Sequence, residues 1–422
     1  MQSRAFLPPA APQSIFIPAL LAIVVSAIQI ISGKPCVAFV SVLCVCFLFA
    51  DHFRVSFNLL RLIIMPVALL IWGIVLGVFE ENDWTAYLRD GYQVGKLTVL
   101  LAVGYYLGSR MSAELLWRTL VRVTVCCAIF YLLFVYLTVG PGMSVVDLRL
   151  TSDLHRGILI IGPVLGPLVA HLVRSRNALN TVGWAIFNFI ILLVALLVSQ
   201  SRSTLVASAI CSLVFLWYLA NVPKTLLVVA AISLATLVVL VTELRVLDSD
   251  TGTVVDRFKG SLSEVTTGDF LNERDVNQNW RAYEAHLAIM EWENASLFNK
   301  ICGFGFGKEI DLGIRIKLLE DEDAYESIGY LHNGYMYILL KFGVAGIIAY
   351  GLFLAWMCKL GWEAISVPAR RLAGTSLLAC SLMVVFTTLV VGGLFHSGRL
   401  MGDPILIGAF YALTTNGARN QA

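Results

Sequence analysis

Charge is scarce in this chain. Asp, Glu, Lys and Arg make up 14% of its 422 residues, and the two signs nearly balance, at a net of +2. No Lys/Arg-rich block and no stripe of interleaved basic and aromatic residues occurs, so nucleic acid is not an expected partner. The signatures of several enzyme classes are missing as well. There is no His-Glu-x-x-His, no Gly-x-Ser-x-Gly and no Walker A sequence, which argues against a zinc protease, a serine-elbow hydrolase and an NTP-driven pump. Of the nine cysteines, Cys36, Cys44, Cys46, Cys126, Cys127, Cys211, Cys358 and Cys380 lie in apolar stretches, where cysteine behaves as a small hydrophobe. Only Cys302 stands in a polar segment, so no disulfide framework is implied.

What the chain has in abundance is apolar sequence: 58% of its residues, arranged in runs of about twenty, the length that crosses a hydrocarbon core of roughly 30 Å. Hydropathy gives candidate helices near 15–31, 36–50, 59–79, 94–108, 119–140, 157–173, 181–198, 203–220, 225–242, 334–357, 372–395 and 400–416, the second and last short enough to be re-entrant. The first resembles a signal sequence. Because Ser32-Gly33-Lys34-Pro35 offers no small-residue cleavage site, a retained helix is expected. The expected fold is therefore an all-α integral membrane protein with about 12 transmembrane helices.

Alternate loops carry the basic residues: Arg54 and Arg61, then Arg110 with Arg118 and Arg122, Arg174 and Arg176, Lys224, and Lys359 with Arg370 and Arg371. The positive-inside rule makes these loops and both termini cytoplasmic. One outward segment is exceptional. Glu243 to Leu331 holds 18 of the 28 acidic residues and only 9 of the 30 basic ones, in a chain whose other connections are short. We divide the chain accordingly into a bundle over 1–242, a helical extracytoplasmic loop domain over 243–331, between the ninth and tenth helices, and a second bundle segment over 332–422. Within the loop, residues 279–290 read as a helix with Trp280, Tyr283, Leu287 and Met290 on one face. The run Gly303-Phe304-Gly305-Phe306-Gly307 suits a tight bend with its rings against lipid or neighbouring helices.

Where the loop meets the tenth helix stands Tyr330-Leu331-His332-Asn333-Gly334-Tyr335. A histidine at a membrane boundary can accept a proton from a sugar hydroxyl or orient it. A histidine that merely hydrogen-bonds at a helix start, with Asn333 as the cap, remains the plainer reading at this point. Arg202 lies in a short outward link, Ser199-Gln200-Ser201-Arg202-Ser203-Thr204, and an arginine fork matches phosphate oxygens, although snorkelling to the interface would also place it there. Arg149, Arg156, Arg274, Arg281 and Arg399, with His155 and His396, fall on the same expected side. Arginines and a histidine gathered there would suit a diphosphate at the head of a lipid. Other polar features are read as structural or incidental. Lys96, beside Gly95 and Gln93, is expected to snorkel to the boundary, Glu320-Asp321-Glu322-Asp323 to be a solvated surface, and the sequon Asn294-Ala295-Ser296 to be incidental.

Taken together, Ser201-Arg202 on a central helix, an outer loop with Arg281 and Gly303-Phe304-Gly305, and His332-Asn333 followed after nine residues by Gly343-x-x-Gly346 resemble the O-antigen ligase and polymerase superfamily. The resemblance spans Ser199 to Gly351. It implies a transferase of the bacterial inner membrane that needs no metal or other cofactor. Its donor would be an undecaprenyl-diphosphate-linked glycan, displaced with inversion on the periplasmic face and delivered to lipid A-core or another glycan acceptor. Carried over by position, His332 would act on the acceptor hydroxyl, while Arg202 and Arg281 would bind the diphosphate. Arg149, Arg156, Arg274, Asn333 and Arg399 are further candidates by place alone. A polymerase joining lipid-linked repeats and a relative glycosylating protein hydroxyls share this donor. A lipid or sugar transporter is the rival of another class, but the chain shows no paired halves and its ionisable residues cluster at boundaries.

Overall fold

The computed structural model describes residues 16–30, 34–52, 54–79, 83–139, 161–174, 179–199, 202–220, 276, 280–317, 324–395 and 402–416. In chain order the described helices are α1 (Phe16–Ile30), α2 (Lys34–Ala50), α3 (Phe57–Val78), α4 (Trp84–Ser109), α5 (Ala113–Val139), α6 (Ile161–Arg174), α7 (Leu179–Ser199) and α8 (Arg202–Ala220). After these come α9 (Trp280–Asn294), α10 (Leu297–Cys302), α11 (Gly334–Ile365), α12 (Arg371–Val391) and α13 (Gly402–Asn416). Between α10 and α11 runs an antiparallel hairpin of β1 (Ile310–Lys317) and β2 (Ala324–Ile328), which pairs Ile310 with Ile328 and Ile316 with Tyr325 around a bulge.

Every candidate span except the one near 225–242, which lies outside the described residues, coincides with a helix. Among the described residues, four stretches are long and apolar enough to cross a membrane: Phe57–Val78, Ala113–Leu137, Gly334–Ile365 and Pro368–Val391. Their outward faces carry large exposed apolar residues such as Ile64, Val78, Leu137, Ile348 and Leu352. In water such faces would be a liability, whereas in hydrocarbon they are the stable surface, because the helices satisfy their own backbone groups. This is a membrane protein. At 15 residues, α13 is about 22 Å long, too short to cross the core as a straight helix.

The structure corrects the sequence reading in two places. The helix expected from 94 begins at Trp84, where Asp83 accepts from the Ala86 N–H at 3.2 Å as its N-cap. Its polar first turns, with Arg89 and Asp90, lower the hydropathy without breaking the helix. The loop domain is also not purely helical: the hairpin is an addition that the expectation missed.

Small residues let α4 and α13 pack at backbone contact. A Cβ on Gly104 would fall 2.2 Å from the Ile405 carbonyl oxygen, and one on Gly108 2.2 Å from that of Ala409. Such close approach is how helices associate where lipid removes the hydrophobic drive between them. At this end of the bundle, Arg110 pairs with Asp51 at 2.6 Å and Asn58 donates to Asn416 at 3.1 Å. The loop elements meet the opposite end, formed by the close of α3 and the starts of α4 and α11.

Candidate active site

The loop elements are held on the bundle by the glycine run. The helical path of α11 breaks at Gly343 (φ 63°, ψ −163°), leaving carbonyls just before it without helical donors. The run supplies donors in their place: the Phe304 N–H reaches the Leu340 oxygen at 3.0 Å and the Gly305 N–H the Lys341 oxygen at 2.9 Å. No side chain fits between these backbones, since a Cβ on Gly343 would lie 2.3 Å from the Ile301 oxygen and one on Gly303 2.4 Å from the Lys341 carbonyl. Both Phe rings of the run are buried. Phe306 sits against Gly73 of α3, edge-on to Tyr87 and Phe342, so of the two environments expected for the rings it takes neighbouring helices.

Beneath the bend lies a closed ion pair. Lys341, fully buried, donates to Asp90 Oδ2 at 2.6 Å and also to the Lys308 carbonyl. The Gly307 N–H donates to the same Asp90 oxygen at 2.9 Å. A charge pair taken out of solvent persists only when hydrogen bonds complete it, as here. Nearer the surface, Arg89 pairs with Glu309 at 2.9 Å, and Ser327 of β2 donates to the other Glu309 oxygen. Burial works against the Glu309 anion, but the Ser327 and Arg89 hydrogen bonds and the neighbouring positive charges prevail, holding its carboxyl below its ordinary value.

The hairpin in turn fixes α9. Tyr283 donates to the Leu312 carbonyl at 2.6 Å, and Val276, Trp280, Leu287 and Ile328 close a small apolar cluster around Tyr283 and Leu312. Three of the four residues expected on one face of this helix are therefore packed, while Met290 is exposed. The sequon serine, Ser296, caps α10.

The next residue along α9 after Tyr283 is Glu284, which is 3% exposed and faces His332. His332 Nδ1 lies 3.0 and 2.9 Å from the two carboxylate oxygens, and the His332 backbone N–H donates to Oε2 at 3.1 Å. The imidazole itself is 40% exposed. The turn carrying it is pinned on both sides. The Asn333 side chain accepts from the Tyr335 and Met336 N–H groups at 3.0 and 3.3 Å, and a Cβ on Gly334 would fall 2.7 Å from the Gly392 oxygen. Asn333 is thus the N-cap of α11, as the plainer reading had it, and its side-chain oxygen is engaged there.

Arg281 lies three residues before Glu284 on the same helix, exposed and without an ion pair among the described residues. Positions three apart neighbour one another on a helix surface, so the arginine and the carboxylate that holds His332 share one side of α9. Arg202 opens α8, but its side chain lies outside the described residues, as do Arg149, Arg156, Arg274, Arg399, His155, His396 and the acidic run 320–323. Lys96 does not snorkel: it is buried, and its amine donates to Gln93. The sequence reading missed Glu284, Asp90 and Lys341. The spacing Arg281-x-x-Glu284 on an amphipathic helix was the available clue to the first.

No curated protein matches the chain. Residues 187–351 match a family model described as O-Antigen ligase. The matched region runs from within α7, through the glycine bend, Glu284 and His332, to beyond the break in α11. Over residues 187–351 the chain is therefore similar to the O-antigen ligase family, the family that its motifs resemble.

Proposed function

We propose that this protein transfers a glycan from undecaprenyl diphosphate to a hydroxyl of lipid A-core, with inversion and without a metal, on the periplasmic face of a bacterial inner membrane. The observation that carries this reading is the junction itself. Inside the matched domain, a half-exposed imidazole is held on a buried carboxylate, and an exposed arginine lies on the same helix, at the bundle end where the acidic loop meets the spans.

A lipid diphosphate is already a good leaving group, so neither a nucleotide nor ATP is required. Catalysis then consists of positioning the acceptor and neutralising charge as it develops on the leaving oxygen. Arg281 and Arg202 supply the charge. His332 holds the acceptor hydroxyl, and because a sugar hydroxyl is a poor acid, the proton moves late, as the new bond forms.

The test is transfer by the purified full-length protein from an undecaprenyl-diphosphate glycan in the presence of EDTA, with lipid A-core in one tube and donor alone in another. Product on lipid A-core is expected. Longer lipid-linked chains in the donor-only tube would replace ligation by polymerisation, and dependence on a divalent ion would overturn the metal-free chemistry.

A further inference from the structure

We propose that Glu284 is a positioning residue that fixes the tautomer and orientation of the His332 ring, so that Nε2 presents its lone pair to the acceptor hydroxyl. The inference rests on the reading of His332 as the residue that engages the acceptor. Its basis is the three contacts of the Glu284 carboxylate, to Nδ1 through both oxygens and to the His332 backbone N–H, all within 3.1 Å.

A carboxylate has no proton to give, so the short contact to Nδ1 requires that nitrogen to carry the hydrogen, and the other nitrogen is left as the acceptor. The backbone bond fixes the base of the side chain while the two oxygens fix the ring plane, which leaves the imidazole little rotational freedom. The carboxylate is also rigid, since α9 is tied to β1 through Tyr283 and Leu312. Among the described residues the ring meets this carboxylate and, at 6.3 Å between centroids, the Tyr330 ring.

In the transfer, the acceptor oxygen bonds to the anomeric carbon while that carbon's bond to the diphosphate oxygen breaks. The electron pair leaves with the lipid diphosphate, and the acceptor proton passes to Nε2 and from there to water. The imidazolium formed in that step is stabilised by the negative carboxylate on Nδ1. Supporting groups of this kind are typically worth about 10- to 100-fold in function.

The experiment compares the full-length wild type with Glu284→Gln, Glu284→Asp, His332→Ala and His332→Gln in detergent. Glu284→Gln keeps the shape but loses the charge. It is expected to melt as the wild type does, to keep its donor KM, and to lose about 10- to 100-fold in kcat. Glu284→Asp, which restores the charge, is expected to recover part of that loss. A purely structural glutamate would lower stability and move kcat and KM without this split.

In 15N-histidine spectra at alkaline pH, the resonances missing from His332→Gln are expected to report a ring protonated on Nδ1 in the wild type and a mixture of tautomers in Glu284→Gln. A wild-type ring protonated on Nε2 would overturn the inference whatever the activities show. Loss of transfer in His332→Ala alongside wild-type kcat in Glu284→Gln would remove Glu284 and leave the function standing. Wild-type transfer by His332→Ala would instead remove the reading on which the inference rests.

Discussion

Two buried carboxylates at the same end of the bundle, Asp90 and Glu284, are answered in opposite ways. Asp90 is met by Lys341, which is equally buried, and backbone groups of the glycine bend complete the pair from above. Its charge is closed inside the protein, and what it secures is the seat of the loop on the helices. Glu284 is met by His332, whose ring is 40% exposed. Its carboxylate holds a ring whose other edge is open to the surface. On the proposed reading, the same chemical group serves architecture where its partner is sealed and reactivity where its partner is open.

The contrast is sharpest at Lys341. Replacing it by Met leaves Asp90 charged and buried without its cation, which is expected to cost about 3–5 kcal/mol of stability. Detergent unfolding checks this, and a second substitution, Asp90→Leu, should return part of the loss. Arg281→Ala is the counterpart on the open side. It removes a group expected to stabilise the leaving diphosphate, so transfer should fall about 10²- to 10³-fold while unfolding is unchanged. A matching loss of stability would show that the arginine belongs to the architecture.

Between these lies Gly343→Ala. A positive φ and the Ile301 oxygen 2.3 Å from any Cβ there predict a stability cost of about 1–3 kcal/mol. The helical break would then fail to receive the glycine bend. The smallest effect is expected at Arg89, whose pair with Glu309 is partly exposed. Arg89→Ala should cost about 0–1 kcal/mol at neutral pH. Because the folded Glu309 carboxyl titrates below its ordinary value, it stabilises the protein above that value, and this contribution is lost as the pH falls through the folded one. The difference between wild type and Arg89→Ala should therefore shrink in acid. An unchanged gap would show that the pair is not its source.

Helix positions were legible because apolar runs of membrane length leave few alternatives, and His332 was legible because a histidine between an acidic loop and an apolar helix is conspicuous. Glu284 was not, since it is one of 18 acidic residues in the loop, where any single carboxylate reads as solvated surface. Lys341 was hidden for the opposite reason: hydropathy over a window averages one cation away, and only the break at Gly343 and the bend above it reveal why it is tolerated. The hairpin did leave a trace. Ile310, Leu312, Ile314 and Ile316 alternate with Asp311, Gly313, Arg315 and Lys317, a strand pattern overlooked beside the stronger helical periodicity of residues 280–290.

The most direct measurement is glycan transfer by His332→Ala and wild type at equal folded concentration, with both unfolding curves recorded. A ring that is open to the substrate predicts a loss of about 10²- to 10⁴-fold in transfer per folded molecule, beyond any stability lost when the buried Glu284 gives up its partner. Wild-type transfer, or a loss fully accounted for by unfolding, would contradict the assignment of this junction as the active site.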